Sequence, residues 1–302
     1  EERAKLIRKA LDAGINFIDV ANNYIEGKAE KVVGAALKRE KVRDDVILAT
    51  KVVSPVGKGP NDRGSSRFSI MREVDRSLAR LQTDHIDLYQ LHQYDESTPL
   101  EESLEALNDL VRAGKIRYYG FSNFPAWQIT RAFYIARERG LNEVTSEQPP
   151  YNILERGIER DVIPACKQLG VAVLAWSPLA MGMLSERFTG GKTPKDARAT
   201  DWFSPTGEGW EDVREAIDKL AALAKDAGTT LPRLAHAWVR RADGITCTII
   251  GPRTVKHLDE VMKSMKVQID DDTLKAIDEI APPNEGMWRR AMVKAAIARS
   301  NK

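Results

Sequence analysis

Residues 48–53 read LATKVV. The run VILAT at 46–50 is apolar, bounded by charged residues and too short for a helix, so it predicts a buried strand. Lys51 follows it directly. An unpaired charge at such a position costs several kcal/mol, so Lys51 needs a counter-charge close by. The same apolar pattern recurs along the chain: NFIDV at 16–20, IDLYQL at 86–91, RYYGF at 117–121, VTSE at 144–147, VAVLAW at 171–176 and TCTII at 246–250. Amphipathic helical segments fall around these runs, at 2–13, 28–39, 68–81, 100–113, 126–138, 158–168, 211–227, 231–240 and 254–263. Four of the helical segments run into a glycine just before the next strand, in DAG (12–14), RAG (112–114), ERG (138–140) and QLG (168–170), which is a helix-stop signal.

Strands alternating with helices predict parallel pairing through right-handed crossovers. The class that fits is a (β/α)8 TIM barrel, which needs eight strands, each followed by a helix. Only seven are read, and residues 2–13 are helical with no strand before them. The expectation is a single barrel domain over 1–302 whose first strand is missing from the chain as given. The stretch 177–210, rich in Gly, Pro and Thr, leaves the strand ending at Trp176, and a loop that long is usually functional or disordered. The tail 270–302 predicts one helix, 272–280, and a segment containing Trp288, Arg289 and Arg290.

Composition narrows the function classes. Basic and acidic residues nearly balance, 46 against 44, and there is no basic tract or aromatic RNA-binding motif, so nucleic acid is not an expected partner. No apolar run approaches the ~20 residues that span a membrane, and no signal peptide is visible. The two cysteines, Cys166 and Cys247, read as reduced core residues of a cytoplasmic protein rather than a disulfide framework. There is no Cys/His cluster at metal spacing, no GxGxxG or Walker sequence after a strand, and no GxSxG elbow. The reading is therefore a metal-free site outside the Rossmann, P-loop and serine-hydrolase classes.

In parallel barrels the chemistry lies at the C-terminal strand ends. Those ends carry Asp19 with Tyr24 in the loop beyond, Lys51, His92, Ser122 with Asn123, Gln148, Trp176 with Ser177, and Gly251 with Arg253. A lone Asp is commonly a cap and a lone His a satisfied core residue. Seven strand ends each carrying a polar or aromatic group form a stronger pattern. Asp19 and Lys51, on neighbouring strands, can pair. An ammonium beside Tyr24 would stabilise its phenolate and so suit the phenol to general-acid work, while His92 polarises a carbonyl oxygen.

The ordered motifs GINFIDVANNY (14–24), ILATK (47–51), IDLYQLH (86–92), GKIRYYGFSN (114–123), EQPPYN (147–152), LAWSPLAMGML (174–184) and TIIGPRTVKHLDE (248–260) resemble the aldo-keto reductase family over nearly the whole chain. The resemblance implies a (β/α)8 barrel that reduces carbonyls with NADPH, NADH being the alternative donor, and without a metal. It implies that Tyr24 is the proton donor, that Asp19 and Lys51 tune it, and that His92 positions the carbonyl. By the same match Ser122, Asn123 and Gln148 hold the nicotinamide carboxamide, Trp176 stacks on the ring, and Ser177, Leu179 and Gly182 line the pyrophosphate path. Gly251, Arg253, His257 and Glu260 match the adenosine-phosphate site. Family members often carry Thr after the Asp and Gly after the Tyr, where this chain has Val20 and Ile25; the Asn common after the last motif's Glu is Val261 here. Loop pattern resembles the bacterial and fungal branch acting on aryl aldehydes and sugar ketones, and also the potassium-channel β-subunits. The readings are therefore an NADPH-dependent oxidoreductase interconverting an aldehyde or ketone and its alcohol, or a cofactor-binding regulatory subunit with weak turnover. Asn23, Tyr94, Phe124 and Trp127 are candidate substrate contacts, as are Trp202, Phe203 and Trp288. Such aromatics suit flat or ring-shaped substrates.

Overall fold

A computed structural model of the chain describes residues 2–195 and 209–300. The chain forms two compact units, one of residues 1–148 and 165–172, the other of 149–164 and 173–302. In the first unit, five strands pair in parallel and in chain order: β1 (Phe17–Asp19), β2 (Ile47–Val52), β3 (Ile86–Leu91), β4 (Ile116–Ser122) and β5 (Ser146–Gln148). Helices α1 (Glu2–Asp12), α2 (Lys28–Glu40), α3 (Arg67–Leu81), α4 (Leu100–Arg112) and α5 (Ala126–Glu138) alternate with them. β6 (Ala172–Trp176), in the second unit from Val173 on, pairs in parallel with β7 (Cys247–Ile249). Helix α6 (Val162–Leu169) precedes that pair; α7 (Glu211–Asp226), α8 (Leu231–Arg241), α9 (Val255–Ser264), α10 (Asp271–Ile280) and α11 (Met287–Ser300) complete the chain. Parallel strands alternating with helices are the (β/α)8-barrel class the sequence predicts. Seven strands lie among the described residues, at the seven predicted places, and none precedes β1.

The predicted helix stops hold, since Gly14, Gly114, Gly140 and Gly170 all sit at φ between 63° and 85°, where other residues are strained. The tail differs from expectation. Residues 287–300 form α11, whose apolar residues are spread around the helix instead of forming one stripe. The periodicity signal is therefore absent, although Ala, Met, Lys and Arg are good helix formers. Among the described residues no helix is long and apolar enough to cross a membrane. Cys166 is buried and Cys247 is half-buried.

Strand parity explains how the first unit sorts its side chains. On β2, Leu48 and Thr50 point one way, and Ala49 and Lys51 the other. Thr50 faces the helices, where its hydroxyl donates to the buried Glu30 of α2 at 2.7 Å; Glu30 also accepts from Arg80 of α3. The two helices meet at Gly34, where a Cβ would lie 2.3 Å from the Leu81 carbonyl oxygen. The opposite face of the sheet is the polar one. Asp19 pairs in register with Ala49, Lys51 with Gln90, Gln90 with Gly120, and Ser122 with Gln148. Asp19, Lys51, Gln90, Ser122 and Gln148 therefore share one face.

Candidate active site

That shared face builds a charged centre in the first unit. Lys51 is wholly buried and donates to Asp19 Oδ2, and also to the Val20 carbonyl oxygen at 2.9 Å. The counter-charge required at the end of LATK is thus Asp19, whose side chain is only 8% exposed. Its other oxygen, Oδ1, accepts from Gln148 Nε2 at 2.9 Å and Gln90 Nε2 at 3.3 Å. A carboxylate with donors on both oxygens satisfies the requirement for burying a charge.

Tyr24 lies over this pair. Its ring centroid is 5.4 Å from Lys51 Nζ, and it meets His92 edge to face at 5.7 Å. Tyr24 is 38% exposed, whereas Lys51 beneath it is wholly buried. Asn22 N–H donates to the Lys51 carbonyl oxygen at 3.2 Å and Tyr24 N–H to Ala21 at 3.2 Å, which ties the loop to the strand end. Ile25, Glu26 and Gly27 then follow in the left-handed region, at φ 50°, 56° and 78°. For a β-branched residue that conformation is costly, roughly 1–3 kcal/mol, which gives a physical reason why glycine suits the position occupied here by Ile25.

His92 follows β3 and its N–H donates to Val52 at 3.0 Å. Burial and then the Lys51 ammonium push its pKa down to about 4, with Asp19 opposing. The imidazole is therefore neutral at pH 7, with one nitrogen donating and the other accepting. Nδ1 is 3.2 Å from Ser54 Oγ, so Ser54 bears on which nitrogen carries the proton. In a nuclear magnetic resonance titration, the His92 midpoint is expected near 4; a midpoint at or above 6.5 would contradict this environment.

Ser122 and Asn123 close β4. Ser122 Oγ donates to the Gln148 carbonyl oxygen at 2.7 Å, and Asn123 Nδ2 donates to the His92 carbonyl oxygen at 3.0 Å and to Ser122 Oγ at 2.9 Å. Glu147, fully buried, accepts the Phe124 N–H at 3.0 Å and so braces this turn from β5. Burial pushes its carboxyl well above the usual carboxylate range. The six predicted strand-end residues Asp19, Lys51, His92, Ser122, Asn123 and Gln148, together with Tyr24, thus form one connected group.

In the second unit the predicted residues fall in two places. Trp176 ends β6 and meets Trp288 edge to face at 6.3 Å. Ser177 Oγ accepts the Met181 N–H at 2.8 Å, and the Leu179 carbonyl oxygen accepts from Gly182 at 2.8 Å, closing a turn in which Ser177, Met181 and Gly182 all have positive φ. Beyond β7, Gly251 and Arg253 are exposed, and Thr254 caps α9 by accepting the His257 N–H at 3.2 Å. Among the described residues no carboxylate pairs with Arg253. Glu260 is bound on both oxygens, by Arg233 at 2.7 Å and Lys263 at 2.8 Å.

Of the predicted substrate contacts, Asn23 is half-buried with its Oδ1 unpartnered. Tyr94 packs edge-on against Phe124 and Trp127, at 5.5 and 6.5 Å. Phe124 is buried and stacks on Phe121 at 4.2 Å, whereas Trp127 is 63% exposed. Trp288 is buried. Trp202 and Phe203 lie outside the described residues. Gln90, Ser54 and Glu147 belong to the same group and were not singled out from the sequence. For Gln90 the signal was available: a polar residue inside an apolar strand, two before His92.

Known proteins resemble this chain over most of its length. The chain is 39% identical to the uncharacterized oxidoreductase YrpG of Bacillus subtilis over 92% of its own length and 86% of that protein's. It is 33% identical to a probable voltage-gated potassium channel subunit beta of Oryza sativa subsp. japonica, over 88% and 83%. With a probable aryl-alcohol dehydrogenase, AAD4 of Saccharomyces cerevisiae, identity is 29% over 95% and 89%. A model of the Aldo/keto reductase family matches residues 1–282, and with that match the chain belongs to the aldo/keto reductase family.

Proposed function

We propose that this protein interconverts an aldehyde or ketone and its alcohol with NADPH, Tyr24 moving the proton. Family membership makes it an oxidoreductase acting on carbonyl compounds; cofactor, proton donor and substrate class are the added steps. The observation that carries the proposal is the half-exposed Tyr24 phenol above a buried Lys51–Asp19 pair and edge-on to a neutral His92.

The donor sets suit the cofactor. A nicotinamide carboxamide has one donor end and one acceptor end, and Ser122, Asn123 and Gln148 offer a hydroxyl and two amides to match. Arg253, exposed beside Lys256 and His257 at the start of α9, suits a 2′-phosphate. A reduced nicotinamide whose carboxamide these residues held would supply hydride to a carbonyl carbon. Tyr24 then protonates the oxygen, the Lys51 ammonium stabilises the phenolate left behind, and Asp19 holds Lys51 in place. Neutral His92 orients the carbonyl by donating one ring N–H. Exposed Trp127, backed by Tyr94, supports a flat substrate, as does the likeness to a protein named an aryl-alcohol dehydrogenase.

The test is nicotinamide absorbance with aryl aldehydes and sugar-type ketones, and with the alcohols in reverse, using NADP(H) and NAD(H). Arg253→Ala is expected to weaken NADPH binding roughly ten- to a hundredfold and leave NADH nearly unchanged. Equal use of both cofactors by the wild type would remove Arg253 from the phosphate site. The likeness to channel β-subunits supports a second reading, a cofactor-holding regulatory subunit. NADPH binding without turnover of any substrate in the panel would favour it.

A further inference from the structure

Gln90 and Gln148 lock one another beneath Asp19. Gln148 Nε2 lies 2.9 Å from Asp19 Oδ1 and 3.4 Å from Gln90 Oε1; Gln90 Nε2 lies 3.3 Å from the same Asp19 oxygen. Both glutamines are buried. Because Lys51 occupies Asp19 Oδ2 and the carboxylate only accepts, the amide edges turned toward Oδ1 must be the NH2 edges. A primary amide has two N–H groups, and those of Gln148 are then both committed, one to Asp19 and one to Gln90. Its remaining function is the carbonyl oxygen.

We propose that Gln90 is a positioning residue that fixes the rotation of the Gln148 amide, so that Gln148 meets the cofactor carboxamide only as a hydrogen-bond acceptor. This deepens the cofactor reading above and rests on it. Gln90 sits on the strand between the Lys51 strand and the Ser122 strand, in register with Lys51. Without it, one Gln148 N–H loses its acceptor and only the Asp19 contact holds the amide, which can then swing and offer the freed N–H to the carboxamide in place of Oε1. Asp19 loses the Gln90 donor at the same time, so the Lys51–Asp19 pair would change with the cofactor contact. Gln90 thereby couples carboxamide recognition to the charged centre under Tyr24.

Gln90→Met keeps the length and removes donor and acceptor. Gln90→Glu keeps the shape and sets a second carboxylate against Asp19. Fluorescence titration with NADPH should show Kd raised about three- to tenfold in Gln90→Met, the size of one hydrogen bond. The pH profile of kcat should shift in the same variant, which a packing defect alone would not cause. In a Gln148→Ala background, Gln90→Met should leave Kd unchanged, because there is no amide left to orient. An effect of Gln90→Met that persists in full in that background would overturn the proposal, as would an unchanged Kd and pH profile in both single variants. Should Gln90→Met fail to fold, Gln90→Glu carries the same comparison. A wild-type protein that binds neither NADPH nor NADH overturns this inference together with the function it rests on; a wild type that binds while the variants behave like it overturns this inference alone.

Discussion

Tyr24→Phe is expected to slow reduction of a reactive aldehyde by about 10²–10⁴-fold, the usual worth of general acid catalysis. Phenylalanine keeps the ring that meets His92 edge-on at 5.7 Å and lies 5.4 Å from Lys51 Nζ, so the packing of the loop over the Lys51–Asp19 pair survives. Only the hydroxyl, and with it the transferable proton, is removed. Hydride arriving at a carbonyl carbon leaves a developing alkoxide, and among the described residues of the charged centre Tyr24 is the exposed acid: Lys51 is buried against Asp19, and His92 is neutral at pH 7. NADPH affinity should change by less than about threefold, since Ser122, Asn123 and Gln148 are untouched. Turnover and a fluorescence titration on the same samples separate the two effects. Wild-type turnover in Tyr24→Phe would refute Tyr24 as the proton donor.

Lys51→Met is expected to damage both stability and turnover. It leaves the Asp19 carboxylate buried without its cation, and breaking one side of a buried pair costs about 3–5 kcal/mol. Gln90 and Gln148 still donate to Oδ1, which holds the loss toward the lower end. Turnover should fall by an amount comparable to Tyr24→Phe, because nothing then stabilises the phenolate. The double variant Asp19→Asn with Lys51→Met separates the two roles. Removing both charges should recover most of the denaturation midpoint, since the unpaired charge is gone, while turnover stays low. Recovery of turnover along with stability would mean that the pair serves the fold alone. Urea unfolding and aldehyde reduction provide the two readouts.

Much of this centre is legible in the sequence. Lys51 stands out because a charge after a buried run demands a partner, and Asp19 because it lies near the C-terminal end of the neighbouring strand. The helix stops at Gly14, Gly114, Gly140 and Gly170 were equally plain, as they are decided within a turn of the residue itself. Helix α11 was not legible, because its apolar residues lie on no single face.

By itself, the sequence determined where the seven strands and all helices but α11 fall and which polar residues stand at strand ends, because hydrophobic period, caps and short apolar runs act over a few residues. It also determined family membership, through motifs in a set order. The tertiary structure alone decided the partners. Gln148 reaches Asp19 across 129 residues of chain and Gln90 does so across 71, and only strand register sets those meetings. Gly34, a poor helix residue by propensity, is explained only by the Leu81 carbonyl lying where its side chain would go. Glu147 likewise looks like an ordinary strand residue until β4 and β5 pair and bring the Phe124 N–H onto its carboxyl. Distance in sequence carries no information about such contacts, because packing and register fix them after the local structure has formed.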